Sequence, residues 1–133
     1  MKIKRFLTVV ATLCMMQLFT SAPKALAEEQ DLDGGIASVE CVNSNQRHAM
    51  ITWFIRTTNG GVLVGDSINF TFQPSGAFRR SVGIYPPRTQ NGGIESSRHV
   101  EESVTMEGTA SGYNPANGNL YLYTIPEFTA ICR

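Results

Sequence analysis

The chain has 133 residues, of which 42% are hydrophobic, and its eleven lysines and arginines balance its eleven aspartates and glutamates. This length is typical of one domain with a single core and excludes an array of several domains. The charges are distributed unevenly, because all three lysines lie within the first 24 residues.

Residues 1–27 have the three parts of a secretory signal peptide. Three cations within residues 2–5 precede an apolar stretch, Phe6 to Phe19, and the small residues of Ala25-Leu26-Ala27 follow. A membrane anchor is the rival interpretation, but the apolar stretch is shorter than the ~20 residues that a spanning helix needs. We therefore expect cleavage before Glu28, a periplasmic or secreted protein, and no membrane insertion after cleavage.

Removal of residues 1–27 leaves seven arginines, no lysine and eleven acidic residues, so the formal net charge becomes −4. Nucleic acids and anionic membrane surfaces are bound by clustered cations, and this composition argues against both partners. Residues 28–35 are acidic, end in Gly34-Gly35 and show no apolar period. They are predicted to be a flexible leader to a single β domain, residues 36–133.

Two cysteines remain in the mature chain, Cys41 and Cys132, because Cys14 leaves with the signal. An even pair in an exported protein is most simply a disulfide. A redox or metal-binding pair would need close spacing such as C-x-x-C, which the two cysteines do not have. The sequence therefore predicts a disulfide that joins the two ends of the domain.

Apolar residues alternate with polar ones through most of the mature chain, and no window shows the spacing of an amphipathic helix. About seven antiparallel strands in a meander are predicted, forming either a small barrel or a sandwich. The Asn59-Gly60 turn predicts a hairpin whose inner face is made of opposed apolar residues. Its inner pairs are Ile55 with Val64, Ile51 with Ile68 and Ala49 with Phe70.

The next turn, Pro74-Ser75-Gly76, predicts a second hairpin that continues the same inner face. Its pairs are Phe72 with Phe78, Phe70 with Arg80 and Ile68 with Val82. A strand from His99 to Met106 is predicted to pair with the strand from Phe78 to Ile84. Arg80 would then meet Glu102 on the core face as a structural ion pair, which is tolerable only when both charges are present.

Two irregular stretches are predicted, Tyr85 to Arg98 and Thr109 to Asn119, with further strands over Leu120–Ile125 and Phe128–Cys132. Long loops in small domains are often functional, and tyrosine and arginine are enriched at binding hot spots. The candidate binding residues in these stretches are Tyr85, Arg88, Asn91, Ile94, Arg98 and Tyr113. The alternative that both stretches are only surface connections has equal weight.

Neither candidate for catalysis or metal binding has its full set of residues. Gly65-Asp66-Ser67 resembles the Gly-Asp-Ser block of a serine esterase family over three residues only, with no base positioned for the serine. His99 and Glu101 share one face of a strand, but a zinc site usually commits three or four ligands. We expect no enzyme activity, no metal and no cofactor.

The sequence favours an exported, non-catalytic binding module that acts through its loops on a protein or glycan outside the cytoplasm. A specific form of it is an inhibitor that inserts a loop into the cleft of an extracytoplasmic hydrolase. The alternative is a structural or adhesive envelope component that assembles through an unpaired strand, whereas the binding module should be a monomer. A small hydrolase is the least favoured interpretation.

Overall fold

The computed structural model of the protein describes residues 27–133, so the predicted export signal, except for its last residue, lies outside the described part. The described residues form eight strands. They are β1 (Glu28–Leu32), β2 (Gly35–Ser44), β3 (His48–Thr57), β4 (Val62–Gln73), β5 (Phe78–Arg88), β6 (Gln90–Ser96), β7 (Ser103–Tyr113) and β8 (Leu120–Ile131). Residues 27–133 contain no helix that is both long and apolar enough to cross a membrane.

The strands form two antiparallel sheets of four strands each. The strand order is β1-β2-β3-β6 in the first sheet and β5-β4-β7-β8 in the second. The predicted all-β, antiparallel fold is confirmed, and of the two open alternatives the structure is the sandwich. β5 and β6 are consecutive in the chain but belong to different sheets, so the chain turns a corner between the sheets at Thr89.

The core lies between the sheets and consists of side chains at alternate strand positions. Ile51 and Ile55 on β3, and Ile68 and Phe70 on β4, have no exposed area. Trp53 on β3 contacts Phe70 across the core, with ring centroids 5.6 Å apart. The inner face that alternation predicts is confirmed for these four residues, because successive side chains of a strand point to opposite faces. The prediction is wrong at Val64: Leu63 is buried in its place, at an irregularity of β4 between Leu63 and Gly65.

The predicted disulfide is confirmed. Cys41 on β2 bonds to Cys132, which follows β8, and the two residues are 91 positions apart in the chain. Each of the two sheets contributes one cysteine, so the bond joins the sheets. Backbone hydrogen bonds support it on both sides, from Cys132 N–H to the Glu102 carbonyl and from Arg133 N–H to the Cys41 carbonyl.

The predicted hairpin of β3 and β4 is wrong. β3 pairs with β2 and β6, whereas β4 pairs with β5 and β7. The turn that contains Asn59-Gly60 therefore carries the chain from one sheet to the other. The alternation could not distinguish the two arrangements, because strands that face each other across a core bury the same residues as strands paired within one sheet.

The predicted register of β4 and β5 is wrong by one residue. The structure pairs Thr71 with Phe78, Asn69 with Arg80 and Ser67 with Val82. The turn spans one more residue than predicted, since Phe72 N–H bonds to the Ala77 carbonyl. A slip of one residue moves every side chain to the other face. Phe78, Val82 and Ile84 consequently point to solvent instead of the core.

The predicted ion pair between Arg80 and Glu102 is also wrong, for two reasons. β5 does not pair with β7, because β4 lies between them. Arg80 points outward and donates to the Ser67 hydroxyl at 2.9 Å. Glu102 is exposed and its N–H donates to the Gln73 carbonyl, so the two side chains are not partners. The buried acid of this segment is Glu101.

Most of the predicted loop from Tyr85 to Arg98 is strand. β5 continues to Arg88, and β6 begins two residues later. Proline and glycine in this stretch indicated a loop, but an edge strand tolerates both because one side of its backbone has no partner. β5 and β6 are both edge strands. Similarly, the second stretch is irregular only from Asn114, since β7 extends to Tyr113.

Two further segments differ from expectation. Glu28–Leu32 is the edge strand β1, antiparallel to β2, so the predicted flexible leader is wrong. Residues 120–131 form the single strand β8, which continues through Pro126-Glu127. An irregularity between Met106 and Gly108 of β7 accommodates that dipeptide. β8 is an edge strand as well, where a missing N–H is tolerated.

Candidate binding surface

The corner between β5 and β6 gathers three of the six predicted binding residues. Tyr85 and Arg88 come from the end of β5 and Asn91 from the start of β6. The Arg88 guanidinium carbon lies 4.6 Å from the centroid of the Tyr85 ring, a cation–π contact. Asn91 donates from Nδ2 to Oδ2 of Asp66 on β4 at 2.7 Å. Asp66 thereby links the two sheets beneath the corner.

Burial dominates the electrostatics of this cluster. It raises the pKa of Asp66, against the opposing effect of the hydrogen bonds from Asn91 and from the Gly83 backbone. Burial and the nearby Asp66 charge raise the pKa of Tyr85 to about 12, so its hydroxyl is protonated at neutral pH. Oδ1 of Asp66 and the Tyr85 hydroxyl are both buried within this cluster. The cluster is therefore a support for the corner in which burial disfavours the charged form of Asp66.

The raised pKa of Asp66 predicts that this residue makes the domain less stable as the pH rises. The Asp66 carboxyl holds its proton more tightly in the folded state than in the unfolded chain. The stability that protonated Asp66 contributes is therefore fully present below the ordinary pKa of 3.8, and it is lost as the pH rises through the higher pKa of the folded state. Asp66→Asn should therefore be more stable than the native protein near neutral pH, with the difference shrinking in acid. Urea unfolding across this pH range measures the difference in stability. The charge-matched control is Glu127→Gln, since Glu127 is exposed. A difference that grows in acid would contradict the assignment.

The corner itself is exposed but held firmly. All five residues from Pro86 to Gln90 are exposed. Thr57 N–H donates to the Thr89 carbonyl at 2.9 Å, which ties the corner to the end of β3. Tyr85 packs against the core below it. The corner therefore presents side chains to solvent from a fixed backbone.

A trough runs along the outer face of the second sheet beside this corner. Its volume is about 260 Å³, and it crosses β5, β4 and β7. The lining residues are Gly65, Asp66, Ser67, Val82, Gly83, Ile84, Thr109 and Ser111. Val82 is 68% exposed and Ile84 is 95% exposed, so two aliphatic side chains stand in solvent next to small residues. Adjacent exposed aliphatic side chains are typical of an interaction surface.

The other three predicted residues lie elsewhere. Ile94 is on the outer face of the first sheet, where it pairs with Thr52 and is 65% exposed. Arg98 is in the connection between β6 and β7, and Tyr113 ends β7 with β4 between it and β5. Sequence reasoning missed Val82 and Ile84, because the assumed register placed both in the core.

The residues considered for catalysis and metal binding contact other partners in the structure. Ser67 lies on the outer face of its sheet, where its hydroxyl accepts from Arg80. His99 and Glu101, predicted to lie on a strand, are in the connection between β6 and β7. The Ser75 hydroxyl, from the turn between β4 and β5, donates to the Glu101 carboxylate at 3.0 Å. Residues 27–133 contain no group of three or more histidine, cysteine or acidic residues that could hold a metal ion.

The chain matches no protein-family model and no curated protein. Its fold is similar to that of two solved structures. One is the "Putative ApaA Protein" from Bordetella pertussis, with a TM-score of 0.51, 14% identity, and coverage of 81% of this chain and 96% of that chain. The other is the structural-genomics target SoR45, with a TM-score of 0.44, 14% identity, and coverage of 80% and 83%. The likeness to the first shows the fold alone.

Proposed function

We propose that the protein is an exported, non-catalytic binding module that holds an extracytoplasmic protein against β5 and the adjoining corner. The observation that carries this proposal is the 95% exposure of Ile84, which lines the trough at the end next to the corner. Burying an isoleucine stabilises a complex by about 1.5–3 kcal/mol, so its exposure in the free protein favours a partner that covers it. Aliphatic side chains favour a protein over a glycan as that partner.

The rigidity of the corner supports the same function. Binding costs less conformational entropy when the contacting segment is already fixed. The contacts of Asp66 with Asn91 and of Thr57 with Thr89 fix it from below. If the partner is a hydrolase, the segment that enters its cleft is the corner Pro86–Gln90, since the predicted long loop is strand. The disulfide is compatible with an oxidising compartment, and we propose the periplasm or the medium.

A structural envelope component remains the second candidate, because among residues 27–133 each sheet ends in strands with one unpaired edge. Unpaired edges can join copies of a chain into larger assemblies. Size-exclusion chromatography separates the two functions. The binding module elutes as a monomer without its partner, whereas the envelope component elutes as higher assemblies.

Ile84→Ser should abolish capture of the partner. We expect at least about a tenfold loss of affinity, because the change removes most of the apolar area that the isoleucine buries in the complex. The test is capture from periplasmic and culture fractions with the tagged mature domain. Ile94→Ser is the matched control, since Ile94 is an exposed strand isoleucine on the opposite sheet.

The control variant should capture the same protein as the native domain, and both variants should keep the native unfolding midpoint. Capture that survives Ile84→Ser and is lost with Ile94→Ser would move the binding surface to the first sheet.

A further inference from the structure

The edge of β5 offers backbone groups to an added strand. β5 pairs with β4 on one side, and within residues 27–133 no strand pairs with its other side. A free edge presents a row of N–H and C=O groups that an extended segment can complete. Pro86-Pro87 ends the usable row, because proline has no N–H to donate. The available edge therefore extends from Phe78 to Tyr85.

All the charged residues of β5 are positive. The strand contains Arg79, Arg80 and Arg88 and no acidic residue, whereas the mature chain as a whole is acidic. Within residues 27–133, the hydrogen bonds of Arg79 and Arg80 and the ring contact of Arg88 are with neutral groups, while the Arg88 charge also acts on Asp66, whose pKa it lowers. Arg79 donates to the carbonyls of Phe78 and Ser96, Arg80 to the Ser67 hydroxyl, and Arg88 lies over the Tyr85 ring.

We infer that the partner adds an extended acidic strand to the β5 edge. This inference rests on the proposed function and specifies the chemistry of the partner. Neighbouring residues of a strand point to opposite faces, so two consecutive carboxylates can reach Arg79 on one face and Arg80 on the other. Further along, apolar β-branched residues of the same strand lie beside Val82 and Ile84. The partner segment thus has an acidic pair at one end and apolar residues at the other.

A second copy of this chain is the competing occupant, because β1 is also an edge strand and carries Glu28, Glu29 and Asp31. β1 lacks a β-branched residue to lie beside Val82 and Ile84, as its one aliphatic residue is Leu32. The apolar half of the β5 edge therefore favours a partner strand of different sequence.

Fluorescently labelled peptides test the inference directly. The probe is the peptide Glu-Glu-Thr-Val-Thr-Val, with its reversed sequence to allow for either strand direction, and the matched control replaces both glutamates by lysines. We expect the acidic probe to bind the mature domain and the lysine peptide to bind at least about tenfold more weakly. Binding should also weaken when the ionic strength rises from about 0.02 M to about 0.5 M.

Arg80→Glu should weaken binding of the acidic probe by about tenfold or more, because it replaces attraction with repulsion at the edge. Arg56→Glu is the matched control, since Arg56 is an exposed strand arginine in the other sheet. In amide NMR spectra, the probe should shift and protect backbone N–H groups between Arg79 and Tyr85. Side-chain attraction alone would leave those amides unprotected, and this result would overturn the inference.

Equal binding of the acidic and basic peptides, or no binding of either acidic peptide, would also overturn it. If neither peptide bound and the domain associated with itself in a way that Arg80→Glu abolished, the β5 edge would belong to a second copy of the chain. Capture of a partner that depends on Ile84 but not on Arg80 would overturn the acidic-strand inference and leave the proposed function standing.

Discussion

Replacing both cysteines, as Cys41→Ser with Cys132→Ser, is expected to lower the free energy of unfolding by about 4–5 kcal/mol. The disulfide closes a loop of 91 residues, and the loss of loop entropy in the unfolded chain increases with loop length. The bond also joins the two sheets near the end of β8. Since small domains are stable by only about 5–15 kcal/mol, the variant should be close to unfolding.

Urea unfolding of the native and double-serine proteins measures this loss. Native protein unfolded in a reducing agent is the control, and its stability should match that of the variant. Native protein that has not been reduced should show no free thiol, as judged by intact mass after alkylation. A loss below about 1 kcal/mol would show that the rest of the sandwich holds the ends together without the bond.

Gly108→Ala is expected to cost about 3 kcal/mol or more. Gly108 has a φ of 146° at the irregularity in β7, a conformation that residues with a side chain rarely adopt. A Cβ there would collide with the Ser67 carbonyl oxygen and lie 2.9 Å from the Ile68 Cα, both in the backbone of the adjacent strand. β7 is a central strand, so neither neighbour can move aside freely.

The matched control for this change is Gly76→Ala. Gly76 also has a positive φ, 74°, but a Cβ built there has no heavy atom within 4 Å. Its cost should be about 1 kcal/mol, the strain of the backbone conformation alone. Thermal and urea unfolding of both variants measure the difference. If the two variants lost the same free energy of unfolding, β7 would not lie as close to β4 at Gly108 as described.

Alternation predicted most of the buried residues of β3 and β4, with Val64 in place of Leu63 as the exception, but it did not predict which strands are neighbours. Ile51 and Ile68 are both buried, yet they lie on different sheets instead of opposite each other in one hairpin. In these two strands the local apolar pattern identified the buried face, whereas pairing depends on the whole topology. The disulfide was predictable for a different reason, because only one pairing of two cysteines exists.

The site was predictable only in part. Composition drew attention to Tyr85, Arg88 and Asn91, which the structure brings together at one corner, although they belong to strands and not to one loop. Ile84 was missed because the length of the preceding turn sets the face of every residue in β5, and one extra residue reversed it. Asp66 was missed as a support for the corner, because no local pattern relates it to Asn91 on a distant strand.

Site-specific photo-crosslinking shows whether a partner covers β5. A photoreactive phenylalanine analogue replaces Ile84 in one variant and Ile94 in the other, and exported protein is irradiated in intact cells. Both positions are exposed, so neither replacement should disturb the core. We expect a discrete adduct from position 84 and none of that mass from position 94. An adduct from position 94 alone, or the same adducts from both positions, would contradict it.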